Sequence, residues 1–430
     1  MTEAQDIESF RDAIRVGDVP RVRRLLTLAH VRAHADDPMF DFGQRAAHLA
    51  ATNEALLTML IDAGADVNLP SVWANGPFTV LDHASADTAR FLLARGVPLT
   101  PNVAARLDWL DALRTLIDAD SAGVHRRGGD GRQPLHEAAT VAIADFLLDR
   151  GADVDARCID HASTPAQYAL VDRPDVARRL LERGATPDIF MAARLGDPSL
   201  AARLIDADPD CVRARVNSPG YPPVPPSSIY CWSLGFGTSP YEVAARFGHQ
   251  EVGSLLASRS PTRLRFMNAL LAADEGEARA VLDEDTTLLS SLTREEHAHL
   301  ARAIFHERFA AAGMMLRIGF DPTAPGIDGG TALHAACWVG HAGLVESLLA
   351  RALVPVDARD PTHGSTPLGW AVFGSVHRRA PAGDYRAVVE QLVTAGADVT
   401  AAGNGAGLTL VQMARGNAEM QATLRRLGAT

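Results

Sequence analysis

At 430 residues, 47% hydrophobic and 22% charged, the chain has the make-up of a folded protein, which excludes bulk disorder. Its formal net charge of −11 argues against a general nucleic-acid binder. All 41 basic residues are arginine, which excludes Schiff-base lysines, catalytic lysine pairs and the lysine-containing phosphate loop.

The four cysteines, Cys158, Cys211, Cys231 and Cys337, are scattered and form no C-x-x-C pair, so neither a disulfide framework nor a zinc site is indicated. The opening residues MTEAQDIESFRDAIRVGD show no charged-then-apolar leader pattern, and no run approaches the ~18 apolar residues of a membrane span. The expectation is a cytoplasmic protein without membrane contact.

In chain order, residues 9–34 read as a helix pair with Gly17-Asp18 at the turn and Val22, Leu25 and Leu26 facing inward at helical spacing. A second unit starts at Arg45-Ala-Ala-His48 and ends in MLIDAGADVN, residues 59–68, where Gly64 suits a left-handed helix C-cap. The same ending returns as FLLARGVPLT (91–100), FLLDRGADVD (146–155), RLLERGATPD (179–188) and QLVTAGADVT (391–400). Further starts fall near Phe78, Val103, Gln133, Thr164, Ile189, Ser239, Leu264, His299, Thr331, Thr366 and Thr409. Those near 103, 264 and 299 are placed mainly by period. The ending LLARALVPVDA (348–358) carries Ala352 where its siblings carry glycine, so a different cap is expected there.

Three stretches break the spacing: LPSVWANGP (69–77), VNSPGYPPVPPSSIYCWSLGFGT (216–238) and GSVHRRAPAGDY (374–385). Connections this long are usually functional or disordered. Prolines 222, 223, 225 and 226 favour extended polyproline geometry. The apolar SIYCWSLGF that follows is expected to fold back as a flap.

Residues 331–371 carry the repeat in its fullest form: Thr331-Ala-Leu-His334, an alanine-rich helix, Gly340-His341, an apolar second helix and, 35 positions on, Thr366-Pro367-Leu368. The phrase resembles the ankyrin repeat, T-P-L-H-x-A with a period near 33. Thr331 is expected to cap the first helix through its hydroxyl. A unit this short must stack on a neighbour. The fold implied is an all-α ankyrin-repeat solenoid of about twelve helix-turn-helix units with β-turn fingers. Residues 1–215 form N-terminal repeats, 216–238 an insertion, and 239–430 C-terminal repeats continuous with the first array. The lysine-free, alanine-rich composition suggests a bacterial source.

The resemblance implies scaffold roles for His48, His136 and His334, as the T-P-L-H histidine, and for His249 and His341. It implies that partners meet the finger tips and the exposed face of the first helix. Carried over, those positions are Arg246, Phe247 and Trp338 on helices, and Trp73, Asp160-His161, Asp328 and Asp360-His363 on fingers. Tyr230 and Trp232 join them from the insertion. No G-x-S-x-G, H-E-x-x-H, G-x-G-x-x-G or EF-hand pattern occurs, and no cofactor or metal is called for; His297, His299 and His306 fit a solvated helix. Asp360 and His363 are the candidate acid–base pair if the chain is an enzyme, set against an Asx-type turn that shapes the finger.

The expected function is a non-catalytic scaffold whose concave groove and finger tips bind a protein or peptide. The alternative is a small-molecule-binding or catalytic solenoid, its pocket closed by the insertion, lined by Trp338, His363, Tyr230 and Trp232.

Overall fold

The computed structural model describes residues 2–217 and 228–430. The chain divides into two compact units, Met1–Arg259 and Ser260–Thr430. Among the described residues no strand forms; an isolated antiparallel bridge joins Ala402 and Thr409. No helix there is long and apolar enough to cross a membrane. All four cysteines are buried, and none is in a disulfide among the described residues.

Each unit is built of paired helices. In the first, pairs such as Pro165–Ala169 with Pro174–Glu182, and Ile189–Leu195 with Pro198–Ala207, follow the starts the sequence marks. In the second the pairs are Thr262–Leu271 with Glu275–Glu284, His299–Phe305 with Phe309–Ile318, Ala332–Trp338 with Ala342–Leu349, Pro367–His377 with Tyr385–Thr394, and Leu410–Met413 with Ala418–Arg426. Their facing sides supply a common core that includes Phe266, Leu300, Leu333, Leu368 and Leu410. The units placed mainly by period are present as helix pairs. Their inter-helix turns put Asp108, Ala273 and Glu307 in the left-handed conformation that glycine holds at Gly196 and Gly340, which is why the turn signal fades from the sequence there.

Two first helices shrink to 3-10 turns, Val80–Asp82 and Pro134–Glu137. The cause is length. His136 stands 15 positions before the cap Gly151, whereas His334 stands 18 before Ala352, so the shorter repeat lacks residues for a full inner helix.

One local expectation is refined and one corrected. Thr331 is the N-cap and forms a capping box with His334, whose Nδ1 accepts the Thr331 amide at 3.2 Å and contacts the hydroxyl at 2.9 Å. The cap at Ala352 keeps the left-handed conformation of its siblings, φ +51° against +91° at Gly151, with alanine carrying the strain.

The insertion closes at its base, where Val216 N donates to Thr238 O and Gly237 N to Val216 O. Residues 218–227, including the four prolines, lie outside the described residues. The part after them does fold back. Ile229 N donates to Ser163 Oγ and the Tyr230 hydroxyl to Asp188 Oδ2, with the Tyr230 ring 5.4 Å from Phe190.

Candidate binding face

In the second unit one repeat position is aromatic three times running. Phe305 and Trp338 end the first helices of successive pairs, and Phe373 lies within the longer first helix of the next, Pro367–His377. The helices bring the rings together. Trp338 lies near-parallel to Phe305, centroids 6.2 Å apart and planes 10° apart, and to Phe373, at 6.1 Å and 24°. Trp370 approaches Trp338 edge-on at 6.4 Å. In three repeats of the first unit that position holds arginine, Arg106, Arg194 and Arg246, and there it stitches repeats together. Arg106 Nη2 donates to Leu81 O and Ala84 O, Arg194 Nη2 to Val171 O, and Arg246 Nη1 to Leu234 O.

Beside the aromatic row lies a pocket of about 220 Å³, lined by Phe305, Trp338, Trp370 and Phe373 together with Asp328, His363, Ser365 and Met413. The walls are mostly apolar. Trp370 is buried and its indole N–H donates to Asp360 Oδ2 at 2.8 Å. Trp338 differs: its indole N–H is buried and has no hydrogen-bond partner among the described residues. Leaving such a donor unmatched costs roughly 1–3 kcal/mol. Phe373 remains 44% exposed.

The fingers frame the mouth. Asp328 sits at a finger tip in the left-handed conformation, φ +54°, and its Oδ2 lies 3.3 Å from His363 Nε2 on the next finger. Both side chains are about half-exposed, 46% and 56%. Asp360 is taken up by the turn. Its carboxylate accepts the His363 amide, the Ser365 amide and the Trp370 indole. Burial works to raise its pKa, but these donors outweigh it and hold the carboxyl below its ordinary range. The acid–base pairing of Asp360 with the His363 ring is therefore not the arrangement found: the carboxylate takes His363's main chain and the ring faces Asp328.

The other residues singled out by sequence stand in the first unit, and none lines this pocket. Tyr230 is fully buried, with burial and the neighbouring Asp188 carboxylate driving its hydroxyl pKa well up, so it is a core residue and not a pocket wall. Trp232 is 69% exposed and meets Phe236 edge-on at 5.7 Å. Arg246 is exposed and, with Arg194, flanks the half-buried Phe247 ring at 5.2 and 4.0 Å. Trp73 packs edge-on against Phe42 at 5.0 Å. His161 is largely buried, its Nε2 3.3 Å from Asp160 Oδ2.

Asp130, Asp160 and His161 bring three metal-type donors within 4.8 Å of one another, so this is where a cation could be held. The donors are already engaged. Asn75 Nδ2 donates to Asp160 Oδ1 at 2.6 Å, and Arg132 lies 3.8 Å from Asp130 Oδ2. Burial raises the Asp130 pKa, opposed by Arg132 and assisted by Asp160. The main chain ties the same fingers, Asp130 N to Gly76 O and Asp160 N to Asp130 O. The cluster reads as a finger tie.

The histidines anticipated as scaffold bridge repeats. His136 Nδ1 accepts the Gln133 amide while Nε2 meets Ser163 O at 3.1 Å, and His48 and His334 make the matching contacts to Phe78 O and Ser365 O, with Ala358 O a further neighbour of His334 Nε2. Phe305 and Phe373 escaped the sequence reading. Their signal was available in the shared position after Ala303-Ile304, Ala336-Cys337 and Ala371-Val372.

Residues 130–159 and 328–361 match the family model of the ankyrin repeat. The second match contains Asp328, Trp338 and Asp360, and the first contains the Asp130 finger.

Proposed function

The chain is an ankyrin-repeat protein, and from that premise we propose that it is a non-catalytic scaffold that binds a protein or peptide along the aromatic row of the second unit. Ankyrin repeats are in general protein-interaction modules. The observation that carries this reading is the row itself. Phe305, Trp338 and Phe373 place large, partly exposed rings at one position of three successive repeats, where three repeats of the first unit use arginine to bond their own carbonyls. Aromatic and arginine side chains dominate binding hot spots. A solenoid offers such a surface to an extended partner because each repeat adds one contact station. The Trp338 indole N–H adds a buried donor unmatched among the described residues within that row. Asp328 and His363 are the finger contacts at the rim, and Trp73, His161, Trp232, Arg246 and Phe247 the contacts proposed for the first unit.

The pocket also supports a second reading, in which a small molecule is the ligand. Native mass spectrometry of the protein isolated gently from its own host separates the two. A stoichiometric polypeptide on the native chain, lost from Phe373→Ala and Trp338→Ala, supports the scaffold. A small molecule lost from the same variants overturns it in favour of the pocket.

A further inference from the structure

We propose that the pocket beside the aromatic row seats a cation of the alkylammonium class, the basic side chain of the partner. This deepens the scaffold reading and rests on it. Three observations carry it. First, the walls are ring systems: Phe305, Trp338, Trp370 and Phe373 border one space of about 220 Å³, and the face of an aromatic ring attracts a cation within ~6 Å of its centroid. Second, the charge at the mouth is negative. Asp328 lines the pocket and no arginine does. Among the described residues its one ion-pair contact is through Oδ2 to His363, at 3.3 Å, and both side chains are half open to solvent. An incoming ammonium gains a carboxylate without breaking a buried bond. Third, the row already holds a cation on an edge that does not line the pocket. The Arg378 guanidinium lies 5.9 Å from the Phe305 and Trp338 centroids while bonded to Glu307 at 2.5 Å. The unit therefore provides both elements of cation recognition, ring faces and a carboxylate, and repeats them on the open side with the cation left to the ligand. An anionic side chain fits worst, since it meets the ring faces and Asp328 together.

The test uses the full chain with its tryptophans ¹⁵N-labelled, the Trp338 indole resonance assigned by its loss in Trp338→Phe. Choline chloride is titrated against 3,3-dimethyl-1-butanol, the neutral molecule of the same shape, at constant ionic strength. Choline is expected to shift the Trp338 resonance saturably, with affinity about tenfold above the neutral isostere. Asp328→Asn, which tolerates the same left-handed turn, is expected to weaken choline about fivefold and leave the isostere unchanged. Equal binding of both probes, or no saturable shift with choline, overturns the proposal. The outcome is separable from that of the scaffold: choline failure alongside partner loss in Phe373→Ala removes the cation chemistry and leaves the binding face.

Discussion

His136 shows how one side chain ties two repeats and exposes the fold to acid. Nδ1 accepts from Gln133 N and Nε2 donates to Ser163 O, so the ring is held neutral with its proton on Nε2. Burial pushes its pKa down to about 4 from the ordinary 6.5, opposed by the Ser163 contact. The unfolded chain therefore binds the proton first as pH falls. This contribution is complete above the ordinary value and is lost between it and about 4, on the order of 3 kcal/mol in all. His48 and His334 are lowered by burial in the same direction. Urea unfolding at pH 7 and pH 4.5 is expected to show the drop, and His136→Gln to reduce it; an unchanged difference in the variant contradicts the assignment. At Ala352 the strain runs the other way. A non-glycine residue at φ +51° pays for a conformation its siblings give to glycine. Ala352→Gly is expected to raise the urea midpoint by the equivalent of about 0.5–1 kcal/mol, the gain reduced by glycine's greater unfolded freedom. A loss of stability would show that the alanine side chain contributes more than its backbone costs.

Among the elements, the finger over residues 360–365 is the most tightly specified. One carboxylate organises it by accepting two amides and the Trp370 indole, which fixes the tryptophan beside Trp338. Asp360→Asn replaces an acceptor by a donor and strands at least one of those N–H groups. A destabilisation of about 2 kcal/mol is expected, read as a lower urea midpoint; an unchanged midpoint would mean the turn holds without the charge. How much of this was legible depends on the element. The helix pairs and left-handed caps follow from periodic leucines and glycines, so Gly64, Gly151 and Gly396 mark them directly. The 3-10 turns at Val80–Asp82 and Pro134–Glu137 were less legible, because a deletion shows as a spacing change and not as a residue type. The destination of Tyr230 was illegible: whether an aromatic in an insertion fills the core or lines a groove depends on Asp188 and Phe190, some forty residues away.

At the scale of the molecule, the two units use the same repeat for different ends. The first uses Arg106, Arg194 and Arg246 to bond its own carbonyls and ties its fingers through Asp130 and Asp160, while the second leaves an aromatic row open beside a carboxylate. Trp338 was visible in the sequence as an exposed aromatic, yet the row was not, because stacking with Phe305 and Phe373 exists only once successive repeats are superposed. The central claim, that this row is the binding face, is tested most directly by isolating native chain and Phe373→Ala in parallel from the host. Phe373 is partly exposed, so the variant's melting temperature should stay within about 2 °C of the native chain's. The account predicts a stoichiometric polypeptide on the native chain and at least about a tenfold reduction on the variant, the loss of one hot-spot contact. The same polypeptide retained in full by a folded Phe373→Ala would contradict it.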